Sequence, residues 1–186
     1  FRDYLYIPLG GSRGGAMMKV RNTFIIFIVS GFWHGANWTF IVWGALNAIY
    51  FLPILLTNRN RKNIDTVASG RLFPSPNEFL SMGATFGLTV IAWVFFRAEN
   101  MGHAMAYISE IFSSSTFNIP EIRPRNTTLL IIGFLVIEWY GRGQQFAIQN
   151  LGIQWKRPFR YALYYAIIIL IFWFGGKEQE FIYFQF

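Results

Sequence analysis

The chain has 186 residues, of which 54% are hydrophobic, 20% aromatic and only 13% charged. Soluble domains carry about 25% charged residues, so the composition points to a lipid environment. The absence of cysteine excludes disulfides, thiolate metal sites and a cysteine nucleophile. The formal charge of +7 falls in short clusters between apolar segments, which fits membrane topology better than a nucleic-acid-binding stripe.

Residues 1–15 are aromatic, basic and glycine-rich, the profile of an interfacial loop or a short amphipathic piece. Gly10, Gly11, Gly14 and Gly15 match no phosphate-loop spacing. A first membrane segment is predicted over residues 16–33, with Lys19 and Arg21 in its opening turns. Its uncharged part, residues 23–33, covers roughly 16 Å at 1.5 Å per residue, about half of a ~30 Å hydrocarbon core. With Arg21 at the interface, His34 is expected well inside the membrane. A second segment over residues 38–56 is free of charge and long enough to span, with Asn47 in its interior and Pro53 predicted to kink or end it.

Residues 57–77 read as a basic, turn-rich loop, and Pro76, Asn77 and Glu78 signal the start of a third segment over residues 79–96. That segment closes on the aromatic cluster Trp93-Val94-Phe95-Phe96-Arg97-Ala98, read as an interfacial belt. Residues 102–112, with His103 near their start, form an amphipathic turn of helix too short to span. Residues 127–140 and 159–175 are predicted as fourth and fifth apolar helices. The fold class is therefore all-α: a multi-pass helical bundle of about five membrane segments with short amphipathic helices.

Four Lys or Arg residues fall in each of residues 1–21, 57–71 and 141–160. Because residues 16–56 enter and return, these regions lie on one side, cytoplasmic by the positive-inside rule. The chain opens on Phe1 without an initiator Met or a signal-peptide pattern and is read as the C-terminal part of a longer protein, residues 1–186 belonging to one membrane domain.

The stretch Ser30-Gly31-Phe32-Trp33-His34-Gly35-Ala36-Asn37-Trp38 holds one of two histidines and interrupts a long apolar run. An ionisable group at membrane depth is a functional-site hypothesis by default; the plainer reading is a packing histidine bonded to a backbone carbonyl. A general base needs a near-neutral pKa and hydrogen-bond reach of the proton it takes. Imidazole meets that need without a metal, and burial favours its neutral, proton-accepting form. Asn37 or Asn47 is then placed to orient the ring or to donate to a developing oxyanion.

The motifs Phe1-Arg2-Asp3-Tyr4-Leu5-Tyr6-Ile7-Pro8-Leu9-Gly10-Gly11, Arg21-Asn22, Gly31 through Trp38, Trp43-Gly44, Trp93 through Ala98 and the closing Phe181-Ile182-Tyr183-Phe184-Gln185-Phe186 resemble those of membrane-bound O-acyltransferases. They are most similar to the branch that acetylates alginate and other exopolysaccharides. The resemblance covers essentially the whole chain. It implies a bacterial inner-membrane enzyme of over twice this length. Its catalytic histidine maps onto His34, in a tunnel reached by an acyl thioester donor (acetyl-CoA or carrier-linked) from the cytoplasm and by the acceptor hydroxyl from outside.

Many relatives carry a second histidine after Trp-Gly; here Asn47 stands in that place, which argues for a single base. Trp33, Gly35, Asn37, Trp38 and Asn47 are the expected supporting or substrate-binding residues, and Arg2, Asp3 and Arg21 the candidate donor or interface contacts. No metal and no bound cofactor are expected. The implied partners are a polysaccharide acceptor, membrane lipid and periplasmic or cell-surface acetylation proteins, without nucleic acid. Two alternatives are D-alanyl transfer to teichoic acid and a non-enzymatic transporter subunit in which His34 gates a polar path.

Overall fold

The computed structural model describes residues 1–11, 13–57, 65–118 and 124–175. Among the described residues all regular structure is helical: a π-helical turn Arg2–Tyr6, α1 (Ala16–His34), α2 (Trp38–Leu56), α3 (Pro76–Arg97), α4 (Met101–Ile111), a 3-10 turn Ser114–Phe117, α5 (Arg125–Gly141) and α6 (Arg157–Phe174). Five of these helices occupy the five predicted membrane segments, and α4 is the predicted amphipathic turn. By length and composition α2, α3 and α6 are long and apolar enough to cross a membrane. α1 has Lys19 and Arg21 in its opening turns. α5, with 17 residues, extends about 26 Å, short of a ~30 Å core. Pro53 does not end α2, which continues to Leu56. The basic cluster 58–63 and the closing motif 181–186 lie outside the described residues.

The chain divides into two compact units, Phe1–Arg123 and Pro124–Phe186. In the first, α1 and α2 form an antiparallel hairpin whose backbones nearly touch. A Cβ built on Gly31 would fall inside the contact radius of the Phe40 carbonyl oxygen, and one on Gly44 inside that of Phe27. Two glycines, one on each helix, thus permit the approach. Within lipid, where burying apolar surface brings helices no advantage, such small residues let van der Waals contact hold them. The rest of the buried apolar core is small as well: Ala48, Ala68, Ala92 and Ala104, with Phe95 the one large side chain.

The start of α3 is fixed locally. Ser75 Oγ accepts from Glu78 N at 3.3 Å while Glu78 Oε2 accepts from Ser75 N at 2.7 Å, a reciprocal capping box with Pro76 at the first helical position. The same carboxylate accepts from Ala68 N at 3.1 Å and pairs with Arg71 at 2.8 Å, so it also pins the preceding turn. In the second unit, Arg142 closes α5: it donates to Trp139 O at 2.6 Å and stacks over the Trp139 ring at 4.3 Å. α6 buries none of its residues.

Candidate active site

The site is built where α1 ends and α2 begins. His34 is the last residue of α1, and Gly35 N–H closes that helix on Phe32 O at 3.1 Å. Asn37 starts α2: its Oδ1 accepts from Thr39 N at 3.2 Å, the cap expected of an asparagine just before an apolar run. Its Nδ2 donates to Glu99 O at 2.8 Å. One side chain therefore starts a helix and ties that start to the segment following α3.

The tie delivers Phe96, from the last turn of α3, to His34. Their ring centroids are 5.1 Å apart at 77°. Trp43, one turn into α2, meets His34 at 5.4 Å and 88°, Trp33 at 5.5 Å and 72°, and Phe40 at 6.3 Å and 36°. All four distances lie in the range of aromatic pairs that prefer edge-to-face geometry. Phe96 is also packed by Phe40 at 5.2 Å, Trp43 at 5.2 Å and Trp93 at 5.0 Å. The imidazole is thus half-buried among rings from three helices. Among the described residues it has no hydrogen-bond partner. Such a group can take a proton from a hydroxyl brought against it.

His34 stands at the end of α1, beside the first turns of α2 and the last turn of α3. Near the start of α1, the Arg21 guanidinium donates to Asn22 Oδ1 at 3.0 Å and to Leu9 O at 3.4 Å.

The other predicted residues are distributed as follows. Trp33 is 61% exposed and packs against Phe1 at 6.2 Å as well as His34. Trp38 is 73% exposed and makes no ring contact with His34 among the described residues. Asn47 donates to Trp43 O at 2.8 Å, a bond within its own helix, and none joins it to the imidazole. Asn37 is engaged at both ends of its amide, so in this arrangement it holds backbone rather than reactant. Arg2 and Asp3 form an ion pair at 4.0 Å with side chains 86% and 74% exposed. His103 lies apart from His34, in a cleft of about 430 Å3 that α3 and α4 line with Phe86, Val90, Trp93, Arg97 and Tyr107.

Three contributors were not singled out by sequence. Phe40 and Phe96 complete the aromatic enclosure, and the available signal was the Trp93–Ala98 cluster, which reads equally well as an interfacial belt. Asn22 is wholly buried and donates to Leu9 O at 3.0 Å and Gly11 O at 3.1 Å, docking the glycine-rich segment on α1. Beside the site, Thr39 is fully buried and its hydroxyl finds no partner among the described residues. No group of three or more His, Cys, Asp or Glu able to hold a metal ion occurs among them.

A family model described as MBOAT, membrane-bound O-acyltransferase family, matches residues 1–96, a stretch that begins at Phe1 and ends on Phe96. The chain belongs to this family. A probable alginate O-acetylase, AlgI, of Pseudomonas aeruginosa is 35% identical over 162 residues, covering 84% of this MBOAT chain and 28% of the relative. AlgI of Pseudomonas putida is 29% identical over 209 residues, covering all of this chain and 40% of the relative. A peptidoglycan O-acetyltransferase of Helicobacter pylori is 39% identical over 104 residues, 56% of this chain and 18% of the relative. The MBOAT chain therefore spans less than half the length of these curated relatives. No solved structure matches it.

Proposed function

We propose that the protein is a membrane-embedded O-acetyltransferase of an extracytoplasmic polysaccharide, with His34 as its general base. The observation that carries this reading is the half-buried His34 imidazole, enclosed by rings and without a hydrogen-bond partner among the described residues, within the stretch that matches the acyltransferase family. The acceptor O–H gives its proton to an imidazole nitrogen while its oxygen attacks the donor thioester carbonyl. The C–S bond then breaks, and the departing thiolate takes the proton back from the imidazolium, leaving a thiol, the new ester and neutral His34. No residue needs to be acylated for this balance to close.

The names of the relatives bear on the acceptor. An alginate and a peptidoglycan acetylase are both similar to this chain, and both names specify a glycan. That favours acetyl transfer to a polysaccharide hydroxyl over D-alanylation of teichoic acid, and family membership favours transfer over transport. The basic opening turns of α1 lie at the opposite end of that helix from His34. With that end cytoplasmic, His34 faces the acceptor's side of a multi-pass inner-membrane protein. The acyl-bearing arm of a cytoplasmic thioester, acetyl-CoA or carrier-linked, must then traverse the bundle to meet it. Residues 1–186 act as the C-terminal part of one such domain, working with periplasmic or cell-surface acetylation proteins.

The test is His34→Ala in the full-length protein, with polymer-bound acetyl ester measured in the cell and the membrane level of the protein checked. Esterification should fall to background. Ester at the wild-type level in the presence of normal amounts of the variant overturns the assignment.

A further inference from the structure

We infer that Phe96 is a positioning residue for the His34 imidazole, taking the orienting part that a hydrogen-bonded carboxylate plays in many imidazole bases. This rests on the reading of His34 as the base. A catalytic imidazole must be held so that the correct nitrogen meets the acceptor, and in the serine-hydrolase arrangement a buried aspartate does this through the other ring nitrogen. Here no hydrogen bond reaches His34 among the described residues. Its orientation comes from ring packing.

Of the four neighbouring rings, Trp33 is the preceding residue in the chain and is mostly exposed, so its edge-on contact at 72° constrains little. Phe40 is the most distant, at 6.3 Å. Trp43 and Phe96 make edge-on contacts at 88° and 77° from other helices, and Phe96 is the closest of all, at 5.1 Å. Phe96 is itself immobilised by three more rings, Phe40, Trp43 and Trp93, and by the Asn37–Glu99 bond that joins the ends of α2 and α3. A side chain locked by packing on rigid helices is what holds a reacting group to within a fraction of an ångström. Phe96 comes from a different helix than His34, so its contact reports whether α3 is seated against the α1–α2 hairpin.

The experiment compares Phe96→Leu and Phe96→Tyr in the full-length enzyme, with kcat and KM measured for acetyl transfer to a soluble acceptor glycan. Phe96→Leu keeps apolar bulk and removes the ring; Phe96→Tyr keeps the ring. Phe96→Leu should lower kcat on the order of ten- to a hundredfold, the loss expected when a reacting group is misplaced by about 1 Å, with KM within about twofold. Phe96→Tyr should recover most of the rate. If Phe96→Leu does not accumulate in the membrane, Phe96→Met, unbranched and adaptable, replaces it with the same expectation. Wild-type kcat in Phe96→Leu, or equal losses in the leucine and tyrosine variants, refutes the positioning role. A loss confined to KM refutes it also. Activity retained in His34→Ala would instead bring down the underlying assignment of the base, so the two failures are distinguishable.

Discussion

Replacing Gly31 by alanine tests how closely the hairpin backbone and the site are coupled. A Cβ on Gly31 would lie 3.0 Å from the Phe40 carbonyl carbon and closer still to its oxygen. The obstacle is backbone within a helix, so it cannot rotate aside as a flexible side chain would. α1 and α2 must separate by on the order of 1 Å, and overpacking of this kind costs about 1–3 kcal/mol. The displaced residue, Phe40, is one of the rings around His34, which itself follows Gly31 by less than one helical turn. A shift of about 1 Å at a reacting group can lower the rate roughly a hundredfold, so activity should fall further than the stability loss alone would suggest. Gly83→Ala on α3 is the control: a Cβ there meets nothing within 4 Å, and better helix propensity should leave stability unchanged or raise it by up to about 1 kcal/mol. The assay is thermal unfolding of the purified full-length protein together with ester formed per mole of enzyme. If Gly31→Ala behaves as Gly83→Ala does in both measurements, the close approach is not what positions the site.

Three further substitutions probe the polar residues. Asn22→Ala removes the donor to Leu9 O and Gly11 O from a fully buried position. Leu9 O keeps its bond from Arg21, but depriving the buried Gly11 carbonyl of this donor costs about 1–3 kcal/mol; limited proteolysis should cut within residues 9–15 faster than in wild type, and an unchanged cutting rate would count against the docking role. The two asparagines expected at the site should separate: Asn37→Ala removes a helix cap of about 1 kcal/mol and the tie to Glu99, lowering both melting temperature and kcat. Asn47→Leu removes only a bond within α2 and should keep activity within about threefold. A collapse of kcat in Asn47→Leu at full stability would restore Asn47 to the chemistry.

The helices were legible because their signals are local. The apolar run of α2 is interrupted by no charge, and Pro76, Asn77 and Glu78 form a start signal within three consecutive residues, where the structure adds Ser75 as the cap. Asn37 carried a local signal as well, an asparagine before an apolar run, but it was assigned to chemistry because it stands near His34 in sequence. The enclosure of His34 was not legible. Nothing in periodicity tells which face of α3 meets which helix end, and Asn37 and Glu99, whose bond sets that meeting, are 62 residues apart. Nor does the sequence say where Arg21 points: its guanidinium bonds Asn22 and the Leu9 carbonyl. Arg2 and Asp3 form an exposed ion pair with each other, a pairing their place in the motif does not specify.

The separation along the chain between the parts of the site sets an order of assembly. Residues 35–37 alone separate α1 from α2, so the hairpin closes with little loss of loop entropy and its contacts are local ones that form early. His34 and Trp43 are brought together at that stage. α3 is synthesised later, and chains fold broadly from the N-terminus during synthesis, so the nascent protein passes through a state in which the imidazole is flanked by the hairpin's own rings and open where Phe96 will lie. Only when α3 has docked does Phe96 lie against the His34 ring.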